Sequence, residues 1–474
     1  MKKRHGLILK LLCASAAACL IPGYFLLSGQ SSGTANAADV SANQTVSGDC
    51  DGNGICNLAD AEYLQGYLLT DCQTVSESAD LDGNQIINAA DLTILKRMLM
   101  QPESREKVTL MVYFSGANLE SDYAEVSGDI QEMMSAEYTD SLQIVAMTGG
   151  AKKWHTHLAD SDANYRITLN KDGIQSEKMD GEPKDMADYH TLQSFITETA
   201  AEYPADRYAL VIWGHGAGPL YGLCYDEITE KTMYLPDLHD ALAGADVHFD
   251  WIGFDCCIMG NLETALAVYE YADYMVACPS VMSSLGWAYE PFITKWSKDP
   301  ECPSEEIGAY IADTSIDANL GTENSAAMAC YDLQYIEELA HAVHVYINDL
   351  YAAFLKAGIE DIYEARTMML DSEAIGFSTY DTVDIVSLVT LLPAASHSED
   401  IINLVSHTVT HRALLKAGDL CGIMMWFPEK YPPDGFTLMP SVYQDLGISE
   451  EYISQMSEMS FAMYRFLEEK SAET

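Results

Sequence analysis

From residue 108 onward the chain alternates two hydrophobic patterns. Short, mostly apolar runs occupy 108–114, 142–147, 209–213, 251–254 and 274–277, and 165–169 alternates apolar with polar residues. They are too short for globular helices and rich in β-branched and aromatic side chains, so they predict buried strands. Between them, apolar positions recur every three or four residues over 128–134, 192–202 and 261–271, the spacing of one helix face. Strands alternating with helices predict an α/β fold, a layered sheet flanked by helices. After Pro303 the pattern turns mostly helical, notably over 334–357 and 450–469, and the apolar segment 422–427 is a candidate to return to the sheet.

Upstream, 47–101 follows a third pattern, a polar loop and a helical stretch occurring twice. Loop positions 1, 3, 5, 9 and 12 are Asp49, Asp51, Asn53, Asn57 and Asp60 in the first copy. In the second they are Asp80, Asp82, Asn84, Asn88 and Asp91. Position 7 is apolar in both, Ile55 and Ile86, and offers its backbone carbonyl. Hard oxygen donors at these spacings are what Ca²⁺ selects, and two loops in register make coincidence a poor explanation. The pair of loops, each followed by one helix, resembles a dockerin, a small all-α module with two EF-hand-like calcium loops. That resemblance implies bound Ca²⁺ and a cohesin module of a scaffold protein as partner. Gly54 serves the sharp turn of the first loop, whereas Gln85 stands at that place in the second, where a positive φ is costly, so the second site is expected to bind more weakly. Residues 102–106 read as a linker.

Two of the apolar runs end in chemistry. One passes into Gly214-His215-Gly216, the other into Asp255-Cys256-Cys257. The carboxyl ends of strands in an open sheet are where catalytic groups collect, and a His and a Cys brought there form a base and nucleophile pair. A thiol attacks as its thiolate, which a neighbouring imidazole favours. The backbone N–H groups of Gly216 and Cys257 are candidates to face the developing oxyanion. No third member of a triad stands out, which leaves a dyad.

The order His-Gly, then Asp-x-Cys about forty residues later, resembles the clostripain family of the caspase-like peptidase clan. Further landmarks fit over 107–430: Val112-Tyr113, Asn118-Leu119-Glu120, Thr148-Gly149-Gly150-Ala151 with Trp154, Met186-Ala187-Asp188, Gly286-Trp287-Ala288-Tyr289 and Trp426-Phe427-Pro428. The resemblance implies a caspase-like sheet within 107–474, a cysteine endopeptidase acting on peptides or proteins, Cys257 as nucleophile with Cys256 structural, and His215 as base. It also implies that Asp255 lines the pocket for an Arg or Lys side chain, although a carboxylate capping a strand end is an equal reading. The loop 278–285, where relatives often carry a second acid, is uncharged here, which leaves a smaller or less polar substrate side chain open. Lys231 lies where such enzymes are often cut for activation, or is simply a surface lysine.

Composition narrows the setting. Lys2, Lys3 and Arg4 precede an apolar stretch and the small-residue site Ala35-Asn36-Ala37, so 1–37 read as a secretory signal peptide, with an uncleaved anchor the competing reading. Its removal takes four basic residues and no acid, so the net charge moves from −47 to −51. So acidic a chain lacks the basic patches that nucleic acid requires and suits a secreted protein associated with a cell-surface scaffold, with no stable membrane insertion once the signal is cleaved. Ten cysteines remain, with no zinc-like spacing, and Cys50 with Cys56 or Cys72 are the nearest candidates to pair. Two other classes stay open: a catalytically inactive, scaffold-docked binding or regulatory protein, and a thiol-dependent acyl transferase.

Overall fold

A computed structural model describes residues 48–52, 56, 58–70, 74–99, 108–283, 285–321, 326–369, 382–392, 397–427 and 433–473. The signal segment, the linker, Asn53, Gly54, Ile55, Asn57, Cys72 and Pro428 lie outside these residues. The chain divides into two compact units with the boundary between Arg105 and Glu106.

In the smaller unit the helices Leu58–Thr70 and Ala89–Leu99 pack over Cys50, Ala61, Leu64, Ala79 and Leu95. Its two loops repeat the same internal bonding. The Asp60 carboxylate accepts from the N–H groups of Cys50 and Asp51 at 2.7 and 3.2 Å, and Asp91 accepts from those of Leu81 and Asp82 at 2.8 and 3.3 Å. Cys50 and Cys56 are free thiols.

The larger unit is built on one nine-stranded sheet. Its strands are β1 (Val108–Ser115), β2 (Leu142–Gly149), β3 (Tyr165–Asn170), β4 (Gly173–Lys178), β5 (Arg207–Trp213), β8 (Phe249–Asp255), β9 (Ala272–Ala277), β10 (Ala326–Asp332) and β12 (Val409–Leu415). Two separate ribbons pair β6 (Leu223–Asp226) with β7 (Lys231–Met233) and β11 (Thr382–Asp384) with β13 (Met424–Trp426). The order across the sheet is β12-β10-β9-β8-β5-β1-β2-β3-β4. The central five strands, β9 to β2, run parallel, and the outer pairs are antiparallel.

Alternation along each central strand sends side chains to two apolar layers. Met111, Tyr113, Leu210 and Ile212 face the helices Tyr189–Glu202, Leu235–Ala245, Leu262–Val268 and Ile336–Ala357. Leu110, Val112, Phe114, Val211 and Trp251 face Glu125–Ser135, Tyr289–Lys298 and Ser304–Ala318. Both faces are dry, so the strands read as unbroken apolar runs. A one-residue slip would exchange the two sets of partners, and at about 1.5–3 kcal/mol per buried aliphatic side chain the register is strongly determined.

All six strands expected from the apolar runs are present, each extended by one to three residues. The region after Pro303 departs from expectation in two ways. Segment 422–427 does not rejoin the sheet; its residues Met424–Trp426 pair with β11. The sheet is instead completed by β10 and β12, and β10 is composed largely of Ala and Met, residues whose intrinsic preference is helical. Burial against β9 and the helix Ser304–Ala318 overrides that preference.

Candidate active site

The chain moves to one side of β1 for β2 and to the other for β5, β8 and β9, so a crevice opens at the carboxyl ends of β1 and β5. Register aligns the three strand ends, with Phe114 beside Trp213 and Trp213 beside Asp255. Three segments therefore leave the sheet side by side, with Asn118 at the start of the helix Ala117–Tyr123 and His215 and Cys257 on loops.

The His and Cys loops touch. A Cβ added to Gly216 would fall 2.2 Å from the Cys257 carbonyl oxygen and 3.0 Å from its nitrogen, so glycine there permits an approach no other residue allows. An antiparallel bridge joins Gly216 to Leu223 through the pairs Ala217 N–H to Gly222 O and Cys224 N–H to His215 O, which leaves the Gly216 N–H outside that ladder. His215 is half-buried, and burial lowers its pKa to about 4, so the imidazole is neutral at physiological pH. Its Nε2 lies 2.8 Å from Asn118 Oδ1.

Cys257 is half-buried, and its Sγ accepts the Met282 N–H at 3.3 Å, a bond that favours the thiolate. Cys256 points the other way. It is 1% exposed, its Sγ donates to Ile212 O at 3.3 Å, and burial pushes its thiol well above the ordinary range. The residue after Cys257, Ile258, has φ 59, an uncommon conformation for a β-branched side chain. Surrounding bonds hold it there: Ile258 N–H to Ser280 O at 2.7 Å, and Asn261 Nδ2 to Ile258 O at 2.8 Å. Met424 N–H donates to Gly260 O, and Trp426 N–H donates to Glu263, so β13 braces the Cys257 loop and the helix after it.

Asp255 is 5% exposed. Its carboxylate accepts from the Tyr289 hydroxyl at 2.9 Å and from the Trp287 N–H, and Gly286 (φ 58) passes so close that an added Cβ would meet Oδ1 at 3.2 Å. Burial raises its pKa, and the charges of Glu132 and Glu125 raise it further. Asp129, on the same helix as those two, is raised first by burial and then by Asp255, while Trp213 Nε1 donates to it at 2.6 Å. Loop 278–285 is uncharged, and the carboxyls near Asp255 come from the helix Glu125–Ser135 instead. Sequence reading missed this because the helix Glu125–Ser135 is more than a hundred residues from Asp255.

The remaining landmarks have structural places. Tyr113 OH donates to Met186 O, and Met186 N–H donates to the buried Asp226. Lys231 opens β7, and its ammonium pairs with Asp185 at 2.6 Å. In the smaller unit, carboxylate oxygens of Asp49, Asp51 and Asp60 lie within 4.8 Å of one another, and so do those of Asp80, Asp82 and Asp91. Asp60 and Asp91 are fully buried, and hard oxygens converging at a buried point fit Ca²⁺. In the second loop Gln85 has φ 66, Asn84 and Gln85 N–H groups donate to Asp80, and the Ile86 carbonyl accepts from Asn88 Nδ2.

The clostripain family profile matches residues 112–431, and the type I dockerin profile matches 47–100. Clostripain from Hathewaya histolytica is 27% identical over 228 residues, which span 39% of this chain and 41% of that protein, so less than half of the relative's length is matched. An inactive zymogen C11 protease from Parabacteroides distasonis superposes with TM-score 0.56 at 20% identity, covering 72% of this chain and 99% of that one. A secreted C11 cysteine protease from Bacteroides thetaiotaomicron, solved with an irreversible peptide inhibitor, gives TM-score 0.55 at 17% identity, with coverage of 72% and 99%. At these identities the likeness bears on the fold alone. The sheet, the abutting His and Cys loops and a profile match over most of the chain lead to one conclusion: the chain belongs to the clostripain family and carries a type I dockerin domain.

Proposed function

We propose that the protein is a secreted cysteine endopeptidase, tethered through its dockerin to a cohesin module, in which Cys257 is the nucleophile and His215 its base. The observation that carries this reading is the contact of the two loops at Gly216, which brings the loop bearing a neutral imidazole against the loop bearing a half-buried thiol. His215 takes the thiol proton, the thiolate adds to the peptide carbonyl, and the N–H groups of Gly216 and Cys257 receive the oxyanion. The imidazolium then gives its proton to the leaving amine, and water, deprotonated by the same ring, releases the acyl group from sulfur.

A basic P1 residue, Arg or Lys, is the preference this site supports. Asp255 and the carboxyls of Glu125, Asp129 and Glu132 are crowded there with their ionised forms disfavoured, and an entering cationic side chain would favour ionisation and pair with them. In the dockerin, Asp49, Asp51, Asn53, Ile55, Asn57 and Asp60 would hold one Ca²⁺, and Asp80, Asp82, Asn84, Ile86, Asn88 and Asp91 a second. The ions would fix the loops that present the cohesin-binding helices. The domain limits that follow are signal peptide 1–37, dockerin 47–101, linker 102–106 and peptidase 107–474. Among the described residues no helix is long and apolar enough to cross a membrane.

The test is hydrolysis of a P1-scanning fluorogenic peptide library with calcium and a reductant. Cys257→Ala is expected to abolish cleavage and thiol labelling, and Cys256→Ala to retain both. Cleavage that survives Cys257→Ala would refute the assignment. A wild type that neither cleaves nor labels would indicate the docked binding protein instead, and ligation products without net hydrolysis an acyl transferase.

A further inference from the structure

We propose that Asn118 is a positioning residue that makes a triad of the Cys257–His215 pair: its side-chain carbonyl holds the Nε2–H of His215 and leaves Nδ1 as the nitrogen that takes the thiol proton. The proposal rests on the peptidase reading of the site. Its basis is the 2.8 Å contact between Asn118 Oδ1 and His215 Nε2, made across neighbouring strand ends by residues ninety-seven apart.

A neutral imidazole carries one N–H, and the hydrogen bond made by one nitrogen decides which nitrogen has it. With Oδ1 accepting, Nε2 keeps its proton throughout. The Sγ proton then passes to Nδ1, the thiolate forms the carbon–sulfur bond, and the same proton leaves on the amine as the peptide C–N bond breaks. Turned over, the amide would donate Nδ2–H to Nε2, place the imidazole proton on Nδ1 and leave no base for the thiol.

The first turn of the helix Ala117–Tyr123, which presents Asn118, is built to hold one conformation. Ala117 has φ 44, a left-handed value for a residue with a Cβ. On either side, Gly116 N–H donates to Gly149 O at 2.9 Å and Glu120 N–H donates to Gly116 O. Glu120 is fully buried and accepts from Ser127 N–H, Ser127 Oγ and His155 N–H, which anchors the turn to two other segments. Tyr225 on β6 faces the imidazole with ring centroids 6.5 Å apart, and the Cys257 backbone, on the loop after β8, lies against the adjoining Gly216. Asp226, beside Tyr225, is committed to the N–H groups of Met186, Ile228 and Thr229. Asn118, in the helix that follows β1, is therefore a polar partner able to orient the ring without charging it.

The test compares the full-length wild type with Asn118→Ala, Asn118→Ser and Asn118→Asp, each checked for an unchanged melting temperature. Two readouts are used: kcat and KM against pH, and ¹⁵N resonances of labelled histidine, with His215 identified by its loss in His215→Gln. The wild type is expected to show the Nε2–H tautomer at neutral pH. Asn118→Ala should lose about 10²- to 10⁴-fold in kcat with KM little changed, as a base in the wrong tautomer does. Asn118→Asp should move the acid limb of the profile upward by about 1–3 pH units, because a carboxylate stabilises the imidazolium. Should Ala fail to fold, the Ser variant, which keeps an acceptor too short to reach, carries the same expectation. An Nδ1–H tautomer in the wild type, or a folded Ala or Ser variant with kcat within about threefold of wild type and an unmoved acid limb, overturns the proposal. A wild type without Cys257-dependent hydrolysis would sink the peptidase reading alone, since the tautomer still decides the hydrogen bond.

Discussion

Replacing Gly216 with alanine tests the central contact of the site. The added Cβ would lie 2.2 Å from the Cys257 carbonyl oxygen, 2.9 Å from Cys256 Cβ and 3.0 Å from Cys257 N. Unstrained carbon–oxygen contacts begin near ~3.3 Å, so the loops must separate by about 1 Å. Cys256 cannot yield, being buried with its thiol on Ile212 O, so the movement falls on the loop bearing His215. Gly216 does not have a positive φ, so the effect is one of space and not of backbone conformation. A misplacement of about 1 Å between reacting groups costs ~10²-fold in rate, equivalent to about 2.7 kcal/mol of barrier. Overpacking also costs about 1–3 kcal/mol of stability, a loss that a domain stable by roughly 5–15 kcal/mol survives. The assay is kcat/KM on a fluorogenic peptide, read beside the melting temperature and the rate of Cys257 alkylation. A folded Gly216→Ala protein with kcat/KM within about threefold of wild type would refute the argument that this contact sets the catalytic geometry.

Two further outcomes follow from other parts of the chain. Burial raises the carboxyls of Asp129 and Asp255, so the folded state holds protons that the unfolded chain has released, and stability falls as pH rises from about 4 toward neutrality. Asp129→Asn keeps an acceptor for Trp213 and should stabilise the protein by about 1–2 kcal/mol at pH 8, with the gain vanishing near pH 3; thermal melts across pH that show no gain would reject it. His215 has the opposite sign, its contribution being lost as pH falls from about 6.5 toward about 4, and it cancels in the difference between the two proteins. In the dockerin, Gln85→Gly removes a left-handed side-chain residue (φ 66), which costs roughly 1–2 kcal/mol, and should tighten the second calcium site by about fivefold; calorimetric titration giving equal or weaker binding would refute that.

The proposed catalytic pair could be picked out because each member lies just after a strand and its flanking residues have narrow physical uses. His215 follows Gly214 and precedes a glycine that must pass the Cys257 backbone, and Cys257 follows an apolar run that can only be a buried strand. Asn118 was visible as a landmark, but nothing in its own neighbourhood says that it reaches His215. The carboxyls near Asp255 were hidden for the same reason: Glu125, Asp129 and Glu132 look like the solvated side of an amphipathic helix until the helix is docked. The strand β10 escaped notice because Ala and Met carry no strand signal of their own.

By itself the sequence determined what local chemistry determines: the six strands, the helices between them, the oxygen spacing of the two dockerin loops, and which thiol and imidazole sit at strand ends. Periodicity and donor spacing act over a few residues, so they are written in the chain directly. The tertiary structure decided the order of strands across the sheet, the edge formed by β10 and β12, the separation of β13 from the sheet, and the meeting of Asn118, His215 and Cys257. These depend on which apolar faces cover one another, a choice made by burial over distances of a hundred residues, where no local pattern records the partner.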